Sequence, residues 1–300
     1  MANVVINDKY LADIADAIRS KNYTAETYKP REMAAAIINL PSGDTASFGN
    51  FMSKTLQGTV TVDAEVIGPY ALSHNEFTSL QTNATTIEVG GCSQCTQLVS
   101  VAMPNLTSIG NSAFRYCPKL TSISIPGDVE LIGQNAFALC YSLADVDIEG
   151  NIADIGSYAF SGCSSLTELK FPGKVSIMRN WALNGATGEK DPPITKIDFN
   201  HVVRLEGDAL GDASKETALQ TIIIRNTSQP VYCSEDALCA FPAQFQNTYR
   251  GSNPGYIYVP AAMVDAYKNY KEDVYSGKYD TVARCSSHIR AIEAYPDICG

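Results

Sequence analysis

Residues 109–126 read IGNSAFRYCPKLTSISIP, and the same pattern returns twice further along the chain. Residues 132–148 read IGQNAFALCYSLADVDI, and residues 155–172 read IGSYAFSGCSSLTELKFP. The step is 23 residues each time, as the positions of Cys117, Cys140 and Cys163 show. A pattern that returns at a fixed step of about 20–50 residues is typical of stacked repeats. This spacing, more than any single motif, determines the fold that we expect.

The pattern continues with drift on both sides of these three units. Upstream, Ile87 and Ile67 open two earlier units, and downstream Met178 and Leu205 open two later ones. A last, degenerate unit ends near Val259. We therefore expect a repeat domain of about eight units over residues 67–260.

Each unit predicts a short strand followed by a compact turn. The segment Leu-x-x-Ile-x-Ile alternates at its end, which indicates a strand with one buried face. The segment Ala-Phe-x-x-Cys has apolar positions three apart, as in one turn of α- or 3₁₀-helix. One unit cannot bury its own apolar face, so the units are expected to stack into an α/β repeat solenoid. The predicted core comprises Ile109, Phe114, Cys117, Leu120, Ile132, Phe137, Cys140, Leu143, Ile155, Phe160, Cys163 and Leu166.

The two flanks of the repeat domain have a different pattern. Residues 1–43 predict a module of two amphipathic helices that docks on a partner or oligomerises, or that caps one end of the solenoid. Residues 44–66 form a connector and a first strand with Val60, Val62 and Val66. Residues 261–300 predict a capping helix and a tail. The apolar stripes of the two N-terminal helices consist of Leu11, Ile14, Ile18, Met33, Ile37 and Leu40.

Composition excludes several classes of function. The chain of 300 residues carries a formal net charge of −10 and contains no cluster of Lys and Arg, which argues against nucleic-acid binding. No stretch approaches the ~20 apolar residues of a membrane span. The N-terminus lacks a secretory signal, so we expect synthesis in the cytosol. The odd count of nine cysteines does not favour a disulfide framework.

The search for catalytic and metal-binding motifs gives nothing specific. No HExxH, GxSxG, P-loop or GxGxxG pattern is present. Cys92 and Cys95 resemble half of a zinc or redox site, but they fall in apolar columns of the repeat, so core packing is the preferred interpretation. Residues 145–156 begin like a calcium loop but end on Gly156 instead of Glu. We therefore predict a protein that is not an enzyme, with no catalytic residue, metal or cofactor.

The exposed side of the strands is the best candidate for a binding surface. Strand alternation sends two columns of side chains outward, and neighbouring strands lie about 4.8 Å apart. The charges of Asp147, Lys170 and Asp198 are expected to alternate along one column. A merely solvated face is the alternative to a face that binds a sugar or protein partner. The predicted face consists of Ser122, Ser124, Asp145, Asp147, Glu168, Lys170, Lys196 and Asp198.

Four aromatic side chains are further candidates for contact with a partner. Aromatic residues commonly anchor interfaces. Trp181 lies beside the alanine column of the repeat, so a position inside the core is the alternative for this residue. The four residues are Tyr116, Tyr141, Tyr158 and Trp181.

The repeat unit IGxxAFxxCxxLxxIxIP resembles the BspA-type leucine-rich repeat family over about two thirds of the chain. Residues 11–21 (LADIADAIRSK) and 30–37 (PREMAAAI) resemble a short module found near the start of many tailed-phage and prophage structural proteins. Together, these resemblances imply a non-enzymatic phage virion protein, tail- or fibre-associated, which displays its repeats for host-surface attachment or subunit contacts. The alternative is an adhesin or interaction module on a bacterial cell surface.

These resemblances also imply the partners. The N-terminal helices would contact other virion proteins, and the solenoid would contact a glycan or protein of the host surface. Self-association is a further expectation. Nucleic acid and membrane insertion are not expected.

Overall fold

The structure is a computed structural model that describes residues 4–7, 56–127, 129–183, 194–207, 209–210, 219–233, 255–269 and 289–299. Within these residues the chain winds into stacked rungs, and every strand pairing is parallel. The prediction of a repeat solenoid is confirmed. The predicted helices of residues 8–40, with all six of their apolar residues, lie outside the described part of the chain.

The first face of the solenoid carries the strands that the sequence predicts. Its hydrogen-bonded groups are β1-β2-β4-β6, β8-β10 and a longer group that begins at β12. The strands are β1 (Val4–Asn7), β2 (Gln57–Asp63), β4 (Glu76–Thr82), β6 (Ser100–Ala102), β8 (Ser122–Ile125), β10 (Asp145–Ile148), the first half of β12 (Glu168–Met178), the first half of β13 (Lys196–Leu205), β14 (Thr221–Ile224), β16 (Tyr256–Val259) and β17 (Ile289–Ala291).

A second face, which the sequence analysis did not predict, consists of shorter strands. Several have only two residues, and the four-residue strands bury their first and last residues and so do not alternate. The long strands β12 and β13 turn the corner and belong to both faces. The remaining strands are β3 (Val66–Ile67), β5 (Thr86–Ile87), β7 (Ser108–Ile109), β9 (Val129–Ile132), β11 (Ile152–Ile155) and β15 (Tyr232–Cys233).

The third side consists of turns, and here the prediction of helical segments is wrong. The Ala-Phe-x-x-Cys segment places a residue with positive φ before its alanine and another before its cysteine, as at Asn135 (φ 55°) and Leu139 (φ 65°). A right-handed helix cannot include such residues. Bonds to the next rung alternate with single turn bonds: the Phe137 N–H donates to the Ala159 carbonyl at 2.8 Å, and the Cys140 N–H donates to the Phe137 carbonyl at 3.2 Å. In the described residues the fold is therefore a β-solenoid with few helices.

The core runs without interruption along the solenoid. The twelve residues predicted as repeat core are all fully buried. The rings of Phe114 and Phe137 stack with centroids 5.5 Å apart, and those of Phe137 and Phe160 do the same. The stacked rings of Phe114, Phe137 and Phe160, here called the phenyl column, therefore connect three successive rungs inside the core.

The described ends of the solenoid are covered by short elements. Residues 4–7 pair in parallel with β2, so the predicted module of residues 1–43 begins with a strand that the sequence analysis did not predict. Val66 starts β3 and does not extend the strand of Val60 and Val62, which ends at Asp63. Near the C-terminus, a 3₁₀ turn (Ala261–Met263) leads into α1 (Val264–Lys268), and a second 3₁₀ turn (Ile292–Ala294) precedes α2 (Pro296–Cys299).

The C-terminal helical elements are short and partly buried. Met263 and Tyr267 are buried, which agrees with the prediction of a capping helix in this region. None of the helices in the described part of the chain has the length and hydropathy needed to cross a membrane.

Candidate interaction face

The structure places most of the predicted face residues on the outer side of the first face. Lys196 is half-buried there, and Asp198 is buried. The remaining residues are exposed, namely Ser122, Ser124, Asp145, Asp147, Glu168 and Lys170.

Strand register brings these side chains together in columns. Asp145 pairs with Ser122, and Asp147 pairs with Ser124. Further along, Glu168 pairs with Lys196. Side chains at paired positions are direct neighbours, so the outer side presents a regular polar surface that changes from hydroxyl groups to carboxylates.

Some carboxylates of the solenoid are paired with arginines, whereas others are not. On the second-face side, Arg179 binds Asp154 through two nitrogens and approaches Glu206 to 3.8 Å. The shared hydrogen bond with Asp154 raises the pKa of Arg179. Within the described residues, no ion pair neutralises Asp145 or Asp147. The outer face therefore keeps its negative charge available to a partner.

The prediction that Asp198 is exposed and continues an alternating charge ladder is wrong. Its carboxylate binds the Arg225 guanidinium, with Nε–Oδ1 and Nη2–Oδ2 distances of 3.1 and 2.8 Å. Only 5% of Asp198 is exposed because residues 292–299, here called the strap, pack over this part of the first face. The strap lies about 90 positions downstream of Asp198. No local sequence pattern around Asp198 or Arg225 predicts that the strap covers them.

The predicted aromatic residues lie in two pairs. Tyr116 and Tyr141 meet edge to face with centroids 6.2 Å apart, and Tyr158 stacks on Trp181 at 5.5 Å. Trp181 is 37% exposed, so the alternative that it occupies the core is wrong. Both pairs combine rings from successive rungs.

The cysteine columns have a structural role that the sequence analysis captured only in part. The Cys140 thiol donates to the Phe114 carbonyl at 3.1 Å, and the Cys163 thiol donates to the Phe137 carbonyl at 3.2 Å. Burial raises the pKa of Cys163 well above its usual value. Each thiol thus donates a weak hydrogen bond to a carbonyl of the preceding rung, a contact that no periodicity predicts.

Cys92 and Cys95 share this environment. Both are fully buried, and Cys92 occupies the phenylalanine column of its rung. Burial is the main reason that the pKa of the Cys92 thiol is raised well above its usual value. In the described residues, no group of three or more His, Cys, Asp or Glu side chains is arranged to hold a metal ion.

Comparison with known families agrees with this architecture. Residues 65–188 match the BspA type leucine-rich repeat region in six copies. These residues are therefore similar to BspA-type repeats. The match supports a repeat-based interaction or adhesin-like module. A comparison with curated proteins found none significantly similar to the chain.

Proposed function

We propose that this chain is a non-enzymatic attachment protein that binds a partner through the outer side of its first face. The BspA-type repeats support an interaction module. The observation that carries the proposal is that Asp145 and Asp147 lie exposed in the two outer columns of that side, where no ion pair within the described residues neutralises them.

The solenoid suits this role because its face is rigid before binding. Parallel pairing fixes each strand on its neighbour, and the buried phenyl column fixes the rungs from inside. A preorganised surface loses little conformational entropy when it binds. The exposed carboxylates favour a partner that presents positive charge or several hydroxyl groups, such as a protein or glycan on a cell surface.

The test is binding of labelled full-length protein to intact bacterial cells. Asp145→Ser with Asp147→Ser should weaken saturable binding at least about tenfold, because it removes two partner-facing charges. Serine is a suitable replacement, since Ser122 and Ser124 occupy the same columns one rung earlier. Unchanged affinity would exclude this face as the binding surface.

A matched control removes two exposed charges from elsewhere on the solenoid. Glu65→Ser with Glu130→Ser alters one residue beside β3 and one in β9 and leaves the first face intact. It should bind as the unaltered protein does. An equal loss of affinity in this variant would point to a general effect of net charge.

We further propose that the protein is displayed on a tailed-phage particle to which residues 1–43 dock. This proposal rests on the resemblance of residues 11–21 and 30–37 to a phage structural module. Deletion of residues 8–43, which keeps the strand Val4–Asn7 on the solenoid, should abolish co-sedimentation with purified particles and preserve binding by the solenoid. Display on a bacterial cell surface is the alternative, and it predicts the protein in cell-envelope fractions without particles.

A further inference from the structure

The corner between the second face and the turns carries a column of residues with a left-handed backbone. Tyr158 (φ 59°) and Trp181 (φ 58°) occupy it in two successive rungs, and Asn135 (φ 55°) occupies it in the rung before. Asparagine adopts this conformation readily, whereas a large aromatic residue there is strained. Such strain is concentrated at functional sites. The column, here called the left-handed column, comprises Tyr70, Ser112, Asn135, Tyr158 and Trp181.

The two strained rings stack on each other and remain partly open to solvent. Their centroids lie 5.5 Å apart and their planes differ by 21°. Trp181 is 37% exposed, and Tyr158 is half-buried. The backbone beneath them is fixed, because the Tyr158 N–H donates to the Trp181 carbonyl at 3.0 Å. The corner therefore presents a preorganised aromatic surface that is two rungs long.

A column of neutral polar side chains runs beside the rings. It is here called the polar column and comprises Asn111, Gln134, Ser157 and Asn180, each directly before a member of the left-handed column. The Asn135 N–H donates to the Ser157 carbonyl at 3.0 Å, so the two columns are joined between rungs. Within the described residues, no hydrogen bond engages the side-chain amides of Gln134, Asn135 and Asn180. Each amide offers two donors and one acceptor.

The charge of this corner distinguishes it from the first face. Between Asn111 and Trp181 the two columns contain no charged side chain. The guanidinium of Arg179, which precedes the polar column in its rung, is bound to Asp154. A charged partner therefore finds no free counter-charge in these columns. The electron-rich face of an aromatic ring attracts the weakly positive C–H groups of a pyranose, and neighbouring amides can bond its hydroxyl groups.

We propose that Tyr158, Trp181 and Asn180 form a binding site for a neutral saccharide. One sugar would pack on the open part of the two rings and share hydrogen bonds with the Asn180 amide. Because rungs lie about 4.8 Å apart, Gln134 and Asn135 would contact the next sugar of a chain that runs along the solenoid. This site is separate from the carboxylates of the first face and does not depend on their role.

The test uses the fluorescence of Trp181, which is the only tryptophan of the chain and therefore reports this site alone. The full-length protein is titrated with neutral oligosaccharides of glucose, galactose, mannose and N-acetylglucosamine, and with sialylated and sulfated oligosaccharides. At least one neutral oligosaccharide should give a saturable change, with an affinity at least about tenfold above that of the charged ones. No saturable change with any neutral oligosaccharide would overturn the proposal, as would equal affinity for the charged ones.

Two variants that keep Trp181 locate the site. Tyr158→Asn and Asn180→Ala should each weaken binding of the best neutral oligosaccharide at least about tenfold, measured by calorimetric titration. Tyr158→Asn should unfold near the midpoint of the unaltered protein, since Asn135 shows that asparagine fits this position. Asn180→Ala leaves both rings in place and decides the matter even if Tyr158→Asn fails to fold. Unchanged affinity in Asn180→Ala would overturn the proposal.

The matched control is Tyr116→Asn with Tyr141→Asn, which removes the other exposed pair of rings. That pair lies beside the exposed, charged Arg115 and Lys119, and it lacks the neutral polar column. The control should bind the oligosaccharide as the unaltered protein does, and an equal loss of affinity would overturn the proposal. The first-face variant with Ser at positions 145 and 147 should also retain this binding. Failure of the attachment proposal would therefore leave the saccharide result intact.

Discussion

Phe137 lies between the rings of Phe114 and Phe160, with a centroid separation of 5.5 Å on each side. None of its surface is exposed. The backbone on either side is held by hydrogen bonds to the adjacent rung, so neighbouring atoms cannot easily move into a space left at this position. The packing of a single ring is therefore linked to the stability of two adjacent rungs.

Phe137→Ala should lower the free energy of unfolding by about 3–5 kcal/mol, the usual cost of truncating a buried phenylalanine. The measurement is chemical denaturation followed by circular dichroism. Tyr141→Ala is the control, because Tyr141 is 38% exposed and should change stability by less than about 1 kcal/mol. An unchanged midpoint for the Phe137 variant would contradict the role assigned to the phenyl column.

Buried columns could be predicted residue by residue because each repeats one side-chain type at a constant step. The Cys140 donation to the Phe114 carbonyl could not, since it depends on the position of a carbonyl 26 residues away in sequence. Asp198 was misplaced for a related reason. Alternation correctly sends it outward, but a segment far along the chain then covers it.

At the scale of the element, the corner after each second-face strand brings two backbones unusually close. A Cβ added to Gly156 would lie 2.5 Å from the Gln134 nitrogen and 2.7 Å from the Gly133 carbonyl carbon. Gly68 occupies the same column in an earlier rung, yet its nearest neighbour would be a Glu88 carboxylate oxygen at 4.0 Å. Glycine is therefore required at this repeat position only where the backbone of the preceding rung lies close to it.

Gly156→Ala should destabilise the protein by about 1–3 kcal/mol, because the added methyl group forces the two rungs apart. Gly68→Ala should be nearly neutral, since neither contact nor φ opposes a side chain there. The measurement is the thermal unfolding of both variants and of the unaltered protein. Equal losses would indicate that the loss at Gly156 does not come from a clash between rungs.

First-face strands were predictable as elements because they alternate over four residues, as in β8 and β10. Second-face strands were not, because a pair such as Ser108–Ile109 is too short to show a period. The turn segments were misassigned because a spacing of three apolar residues suits a helical turn equally well. Hydrogen bonds between rungs decide between the two, and these are absent from any single repeat.

At the scale of the whole molecule, one core joins the described rungs from Leu56 to Ile289. Five cysteines lie in this core, and burial raises the pKa of Cys92, Cys117 and Cys163 well above the usual thiol value. Protonated, enclosed thiols do not react with alkylating agents. Their reactivity therefore reports the integrity of the solenoid along its length.

We expect these five thiols to become reactive together as denaturant is raised, at the midpoint of the circular dichroism transition. The measurement is pulsed alkylation at each denaturant concentration, with fully unfolded protein as the control. The five residues are Cys92, Cys95, Cys117, Cys140 and Cys163. Reaction in sequence from one end would show instead that the rungs unravel one after another.

The parallel, in-register pairing of successive rungs also sets how the molecule can change its length. Each 23-residue unit advances the stack by one strand spacing, about 4.8 Å. The gain of one whole unit would lengthen the solenoid by that amount, and the loss of one would shorten it. Either change would keep the side-chain columns aligned. An insertion of another size within a rung would shift core residues onto the surface unless it bulged out as a loop. The solenoid can therefore be lengthened only in discrete increments.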